Sequence, residues 1–239
     1  PDAKAQGPEG RLAPFAPEPS RTDLEAAVAA LCEAKRPAIV VGHGARFAMA
    51  PVIALAEKLG APVLTTFKGK GLISDEHPLG AGVLGRSGTP VASWCMNEAD
   101  LLLVFGSSFS NHTGIVPYKR IVQVDHDRDS LGRFHPVTVP VFGDIGVTAA
   151  ALAEAVGDGG WVAQRPDVAE RWTIGREEKT RRLSEERGEG VSSAAVFAAL
   201  SRVLPEDPII AVDVGNNTYS FGRYFESRAP AILMSGYLG

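Results

Sequence analysis

Short apolar runs recur along this chain, and each ends at glycine or a small polar residue. Residues 38–41 read Ala-Ile-Val-Val and stop at Gly42-His43-Gly44. Residues 101–105 read Leu-Leu-Leu-Val-Phe and stop at Gly106. Two looser runs, 120–125 and 137–142, end at Asp125 and at Gly143-Asp144. A strand with one wet face would alternate apolar and polar residues. Uninterrupted runs predict strands covered on both faces, as in a parallel sheet. Helical stretches lie between them: one from residue 22, then 51–59 with Gly60 as its stop, 89–98 and 145–156. The alternation predicts an α/β chain, with a Rossmann-like parallel sheet and helices on both faces. Such sheets bind ligands just beyond the carboxyl ends of their strands.

The organisation follows. Residues 1–19 are rich in Pro, Gly and Ala without period, and read as an extended linker. Thr22-Asp23-Leu24-Glu25 reads as a capping box, with Leu24, Val28 and Leu31 at helical spacing. Residues 62–65 read as a strand. A long loop with six glycines between Gly69 and Gly88 follows. The first unit thus spans 20–157. Residues 158–190 form a densely charged helix or helical linker with Glu178 and Arg182 four apart, which reads as solvated. A helix at 191–204 and strands at 209–213 and 231–234 begin a second α/β unit, 191–239, that is left unfinished. The chain opens at Pro1 without methionine and closes at Gly239 just after a strand-like run, so it reads as a fragment.

Composition excludes several classes. A formal charge of −4 gives no basic footprint for nucleic acid. No apolar run approaches the roughly 20 residues of a membrane helix, and no basic-then-apolar leader opens the chain, so it is expected to be cytoplasmic. The five histidines are scattered without zinc spacing, and Cys32 and Cys95 are far apart, so no metal site or cysteine nucleophile is expected. No G-x-S-x-G elbow occurs, and no catalytic residue is assigned. Cys32 is expected to pack in the core.

The strand-end turns carry what chemistry there is. Gly42 and Gly44 allow close backbone approach to a phosphate, although Phe47 stands where a full dinucleotide fingerprint has its third glycine. Asp125 and Asp127 suit a ribose hydroxyl or an adenine amino group, and equally suit a capped turn. Gly143-Asp144 repeats that choice. Gly157-Asp158-Gly159 lacks a following Asn at metal-motif distance and reads as a helix stop. Gly215-Asn216-Asn217 after the second unit's first strand offers backbone and amide donors for a diphosphate, or is a plain capped turn.

The order of motifs resembles the thiamine-diphosphate-dependent enzymes of the acetolactate synthase and pyruvate oxidase group. The resemblance is carried by residues 36–46 (Arg-Pro-Ala-Ile-Val-Val-Gly-His-Gly-Ala-Arg), 62–71 (Pro-Val-Leu-Thr-Thr-Phe-Lys-Gly-Lys-Gly), His77-Pro78-Leu79 and 85–89. It continues through 98–103, 125–127, 143–144 and 213–217. It implies a central domain followed by the start of a diphosphate-binding domain. It aligns Gly42, Gly44, Ala45, Arg46, Thr66, Lys68, Gly85, Arg86, Ser87, Gly88, Gly106, Ser107, Ser108, Asp125, Asp127, Gly143 and Asp144 with the segments that meet FAD in the flavin-containing members; in other relatives ADP replaces the flavin, or neither is bound. It aligns Gly215, Asn216 and Asn217 with the thiamine diphosphate contact. Residues 235–239 resemble the S-G-G-L-G of the family, with Gly236 and Leu238 matching and Tyr237 in place of a glycine. Acetolactate synthases usually carry an Arg soon after the glycine at 106; the serines here lean toward the pyruvate oxidase branch. The activating Glu and the metal motif for Mg²⁺ lie outside these 239 residues. The resemblance therefore implies a homodimeric or homotetrameric parent that decarboxylates pyruvate or a similar 2-oxo acid and transfers its two-carbon unit, and an inactive isolated chain. The alternative is a stand-alone nucleotide- or FAD-binding module without catalysis.

Overall fold

The computed structural model describes residues 15–109, 113–183, 189–205, 207–228 and 231–235. Six strands form one sheet: β1 (Pro37–Val41), β2 (Val63–Thr65), β3 (Gly80–Val83), β4 (Leu101–Phe105), β5 (Arg120–Asp125) and β6 (Val139–Phe142). Their order is β3-β2-β1-β4-β5-β6, and every neighbouring pair is parallel. β1 and β4 sit at the centre and are buried at every residue, which is why their sequences do not alternate. Val41 pairs with both Thr65 and Phe105. The carboxyl ends of β1, β2 and β4 therefore come level, and the chain order reverses between β1 and β4, where open α/β sheets bind ligands.

The faces divide by the parity of the strand residues. Ile39, Val41, Leu101, Leu103 and Phe105 pack with α1 (Arg21–Glu33), α2 (Met49–Leu59) and α4 (Ile145–Ala155). Ala38, Val40, Leu102 and Val104 pack with α3 (Pro90–Glu98) and α5 (Arg165–Leu183). Both faces are covered, as expected.

Four expectations change. α1 is capped by Ser20, whose hydroxyl accepts from Asp23 N, so the helix starts before Thr22. Cys32 is exposed, because α1 buries Ala27, Ala30 and Leu31 instead. The glycine-rich stretch read as a loop contains β3, an edge strand paired to β2 with a register shift and a positive φ at Gly82. Helix α5 is docked rather than wholly solvated. Val168 and Trp172 bury in the second cluster, and Trp172 Nε1 donates to the Gly80 carbonyl. Its solvent side keeps the charge pattern: Glu178 accepts from Arg181 and Arg182, which holds its carboxyl down at about 2.

The second unit comprises α6 (Ser193–Val203), β7 (Ile209–Val212), α7 (Asn216–Tyr224) and β8 (Ala231–Met234). Its two strands pair in parallel around a small cluster of Phe197, Phe221 and Phe225. Among the described residues no helix is long and apolar enough to cross a membrane.

Candidate functional site

A cleft of about 250 Å³ opens at the β1/β4 reversal. Its lining includes Gly42 and Gly44 after β1, Thr66 and Lys68 after β2, and Gly106, Ser107 and Ser108 after β4. Asp125, at the end of β5, completes it. Eight of the residues singled out from the sequence are thus brought together by four strand ends.

The turn glycines are needed for each other. A Cβ on Gly42 would collide with the Gly106 carbonyl and lie 2.7 Å from Ser107 Cα. A Cβ on Gly106 would meet Ala45 N at 2.6 Å, and Gly106 also sits at φ +59. Gly44 N donates to the Gly106 carbonyl and Gly42 N to that of Phe105. The β1 and β4 turns therefore interlock backbone to backbone, and the floor of the cleft is rigid.

Asp125 is the charged group inside. It is buried, and one carboxylate oxygen accepts from Asp127 N. Burial pushes its carboxyl above the ordinary carboxylate range, against that hydrogen bond. The carboxylate lines the cleft, where it suits a hydroxyl donor such as a ribose. Exposed Lys68 supplies a cation at the other side for a phosphate.

The remaining sequence candidates lie elsewhere. Ala45 is buried, and exposed Arg46 donates back to the His43 carbonyl and stacks over Phe47. Gly85, Arg86, Ser87 and Gly88 form the turn after β3, outside the cleft lining. Asp127 caps its own turn through Asp129 N and Ser130 Oγ, which lowers its pKa. Asp144 caps α4 through Val147 N, and its own amide donates to the Pro17 carbonyl of residues 15–19, which pack over Gly143. Gly215, Asn216 and Asn217 stand exposed at the first turn of α7 in the second unit. Gly236 and Leu238 lie outside the described residues. Among those described, no group of three or more His, Cys, Asp or Glu side chains could hold a metal. Cys95 is buried, its thiol pushed up to about 12 by burial and by Asp167.

Residues 24–152 match the family model for the central domain of thiamine pyrophosphate enzymes. The chain belongs to that family. Among curated thiamine pyrophosphate enzyme relatives, it is 30% identical over 239 residues to sulfoacetaldehyde acetyltransferase of Castellaniella defragrans, covering 87% of this chain and 40% of that protein. It is 30% identical over 237 residues to the acetolactate synthase large subunit of Corynebacterium glutamicum, covering 92% and 37%. It is 37% identical over 149 residues to that of Parasynechococcus marenigrum, covering 58% and 24%. The chain spans about two fifths of the length of the curated relatives it matches. The cleft lies within the central-domain match, and α7 lies beyond it.

Sequence reasoning missed several cleft residues. His43, Phe109, Thr113 and Ser130 also line it. Phe109 is buried at φ +53, a backbone region that bulky residues avoid at a cost of about 1–3 kcal/mol, and its ring meets His135 edge-on. Nothing in a Ser-Ser-Phe run announces that. Gln123 was readable, because it interrupts the apolar run of β5. It is fully buried and ties the turn after β4 to the turn after β5.

The raised pKa of Asp125 makes a prediction. A buried acid with a raised folded pKa binds its proton more readily folded than unfolded, so it subtracts stability once the pH exceeds that folded pKa. Asp125→Asn keeps an acceptor for Asp127 N and removes the charge. The variant should melt above the unsubstituted chain at pH 7, and the gain should vanish below the ordinary carboxylate range. Thermal melts across pH check this; equal melting at pH 7 would contradict it.

Proposed function

We propose that this chain is the central, nucleotide-holding part and the opening of the diphosphate-binding part of an enzyme that uses thiamine diphosphate and Mg²⁺. The whole enzyme would decarboxylate pyruvate or a similar 2-oxo acid and pass the two-carbon unit to an acceptor, as the name acetolactate synthase implies for its relatives. Thiamine diphosphate, when bound, supplies the carbanion chemistry of the decarboxylation. The chain's own residues bind and orient. Thr66, Lys68 and Asp125 hold a nucleotide, and the first turn of α7 presents the Asn216 and Asn217 amides and its backbone N–H groups to a diphosphate. We read the parent as a cytoplasmic homodimer or homotetramer.

The observation that carries this reading is the cleft at the sheet reversal, inside a chain that belongs to the thiamine pyrophosphate enzymes. Its place beyond the strand ends at the sheet reversal is where open α/β sheets hold a nucleotide, here the adenosine diphosphate portion shared by FAD and ADP. The Asp125 carboxylate in the cleft lining matches a ribose hydroxyl and Lys68 a phosphate.

Two measurements test the reading. Isothermal titration of this chain with ADP and with FAD should show saturable binding, weakened about tenfold in Asp125→Asn by loss of a charge-assisted hydrogen bond. A yellow full-length protein selects FAD; a colourless one that takes up ADP selects the nucleotide alone. Full-length protein supplied with pyruvate, thiamine diphosphate and Mg²⁺ should release CO₂ and form acetolactate. Failure to consume any 2-oxo acid would overturn the assignment of the reaction.

A further inference from the structure

The two units meet at a buried ion pair. Lys70 and Asp75 are 4% and 5% exposed, in a loop of the first unit, and Lys70 Nζ lies 3.2 Å from Asp75 Oδ2. The same carboxylate oxygen accepts from Ser227 N at 2.8 Å, and Asp75 N donates to Ser227 O at 2.8 Å. Ser227 lies three residues beyond the end of α7. The Lys70 ammonium also stands 5.9 Å from the ring centres of both Phe221 and Phe225, which stack 4.7 Å apart. One lysine therefore touches the last turn of α7 and, through Asp75, the backbone that follows it.

The surroundings leave α7 little room. A Cβ on Gly222 would stand 2.6 Å from the Ser87 carbonyl and 2.8 Å from the Phe67 ring. On another side Lys179 donates to the Tyr224 carbonyl. Close packing against Ser87 and Phe67 resists separation, and the flexible Lys179 side chain can follow a small slide. A pair of backbone hydrogen bonds tied to a fixed charge cannot.

We infer that Lys70 is a positioning residue: through Asp75 and Ser227 it fixes α7 along its axis, and so sets where the first turn at 215–217 stands. The inference rests on the proposal that this turn meets the coenzyme diphosphate. A buried ion pair contributes little net stability compared with an uncharged replacement of similar shape. Its distinct contribution here is register, carried to an exposed turn at the far end of a nine-residue helix. The footing is also shared with the cleft, because residues 66–75 include Thr66 and Lys68.

The test separates register from stability. In the full-length protein, Lys70→Met/Asp75→Asn leaves no unpaired charge and keeps an acceptor for Ser227 N, but removes the ion pair that holds that acceptor in place. We expect a melting temperature close to that of the unsubstituted protein. Amide exchange should be faster over residues 218–227 and unchanged in β1 and β4. Thiamine diphosphate, titrated with Mg²⁺ by fluorescence, should bind at least tenfold more weakly. Asp75→Asn alone, which strands the lysine charge, should loosen the same amides and weaken binding as well. Lys70→Arg, which retains the charge, should recover part of the affinity.

Unaltered coenzyme affinity in the double variant, with or without faster exchange, would overturn the inference. Weaker binding with unchanged exchange at 218–227 would overturn it too, since the effect would not run through α7. Absence of coenzyme binding by the unsubstituted full-length protein would overturn the functional reading itself, and the inference with it.

Discussion

Gly42→Ala is expected to lower the melting temperature by about 10 °C and to abolish nucleotide binding at the cleft. The added Cβ would collide with the Gly106 carbonyl and lie 2.7 Å from Ser107 Cα. Both are backbone atoms of the turn that closes β4, so no side chain can swing aside. Relief requires the β1 and β4 turns to part, which breaks the bonds from Gly42 N to Phe105 O and from Gly44 N to Gly106 O. These turns join the two central strands, whose residues are buried throughout. Overpacking with loss of buried hydrogen bonds costs about 3–5 kcal/mol. For a chain of this length each kcal/mol shifts melting by about 2–4 °C. Gly60→Ala is the control. Gly60 has a positive φ, +60, where Gly42 has −101, and its Cβ would stand 3.7 Å from the nearest atom. It should cost only the left-handed backbone penalty, about 1 kcal/mol. If thermal melts show the two variants equally stable, the interlock does not carry the cleft.

The same glycines show how much of the site the sequence held. Their place after a buried strand marked them for a ligand turn, and they do line the cleft. Their physical reason was hidden, since a glycine that spares a phosphate and one that spares another strand look alike. Asp125 was legible because it ends a strand. Asp127 and Asp144 were equally legible, yet their carboxylates serve their own turns. Strands β1 and β4 could be read because burial on both faces writes an uninterrupted apolar run. β3 could not, because Gly80-Ala81-Gly82-Val83 has the composition of a loop and becomes a strand only beside β2. Lys70 sits between glycines, where a lysine reads as a solvated surface charge. Its burial depends on Phe221, Phe225 and Ser227, about 150 residues downstream, which no local pattern reveals.

Gln123 was visible in the same sense and carries the second large effect. It occupies the middle of β5, opposite Val104 and Pro140, with no exposure. Its Nε2 donates to the carbonyls of Ser107 at 3.1 Å and Ser130 at 2.9 Å, and its Oε1 accepts from Gly132 N at 2.9 Å. Two carbonyls and one N–H fix which end of the amide points where. Ser107 and Ser130 both line the cleft, so a single amide holds two of its walls. Gln123→Leu is close in volume, yet it orphans all three backbone groups at a cost of about 1–3 kcal/mol each. Water reaching the Ser130 side offsets part of this. The net expectation is about 3–5 kcal/mol, seen as a fall of about 10 °C in melting temperature. ADP binding to the cleft should weaken at least tenfold even well below the melting point, because the walls no longer keep their spacing. Gln123→Glu separates the two causes. It keeps the acceptor for Gly132 N and buries a carboxylate whose pKa must rise. A raised folded pKa subtracts stability above it, so the variant should be least stable at alkaline pH. It should recover as the pH falls and the protonated acid donates to one of the two carbonyls. Melting of Gln123→Glu that is flat with pH would mean the amide faces solvent and not the two turns.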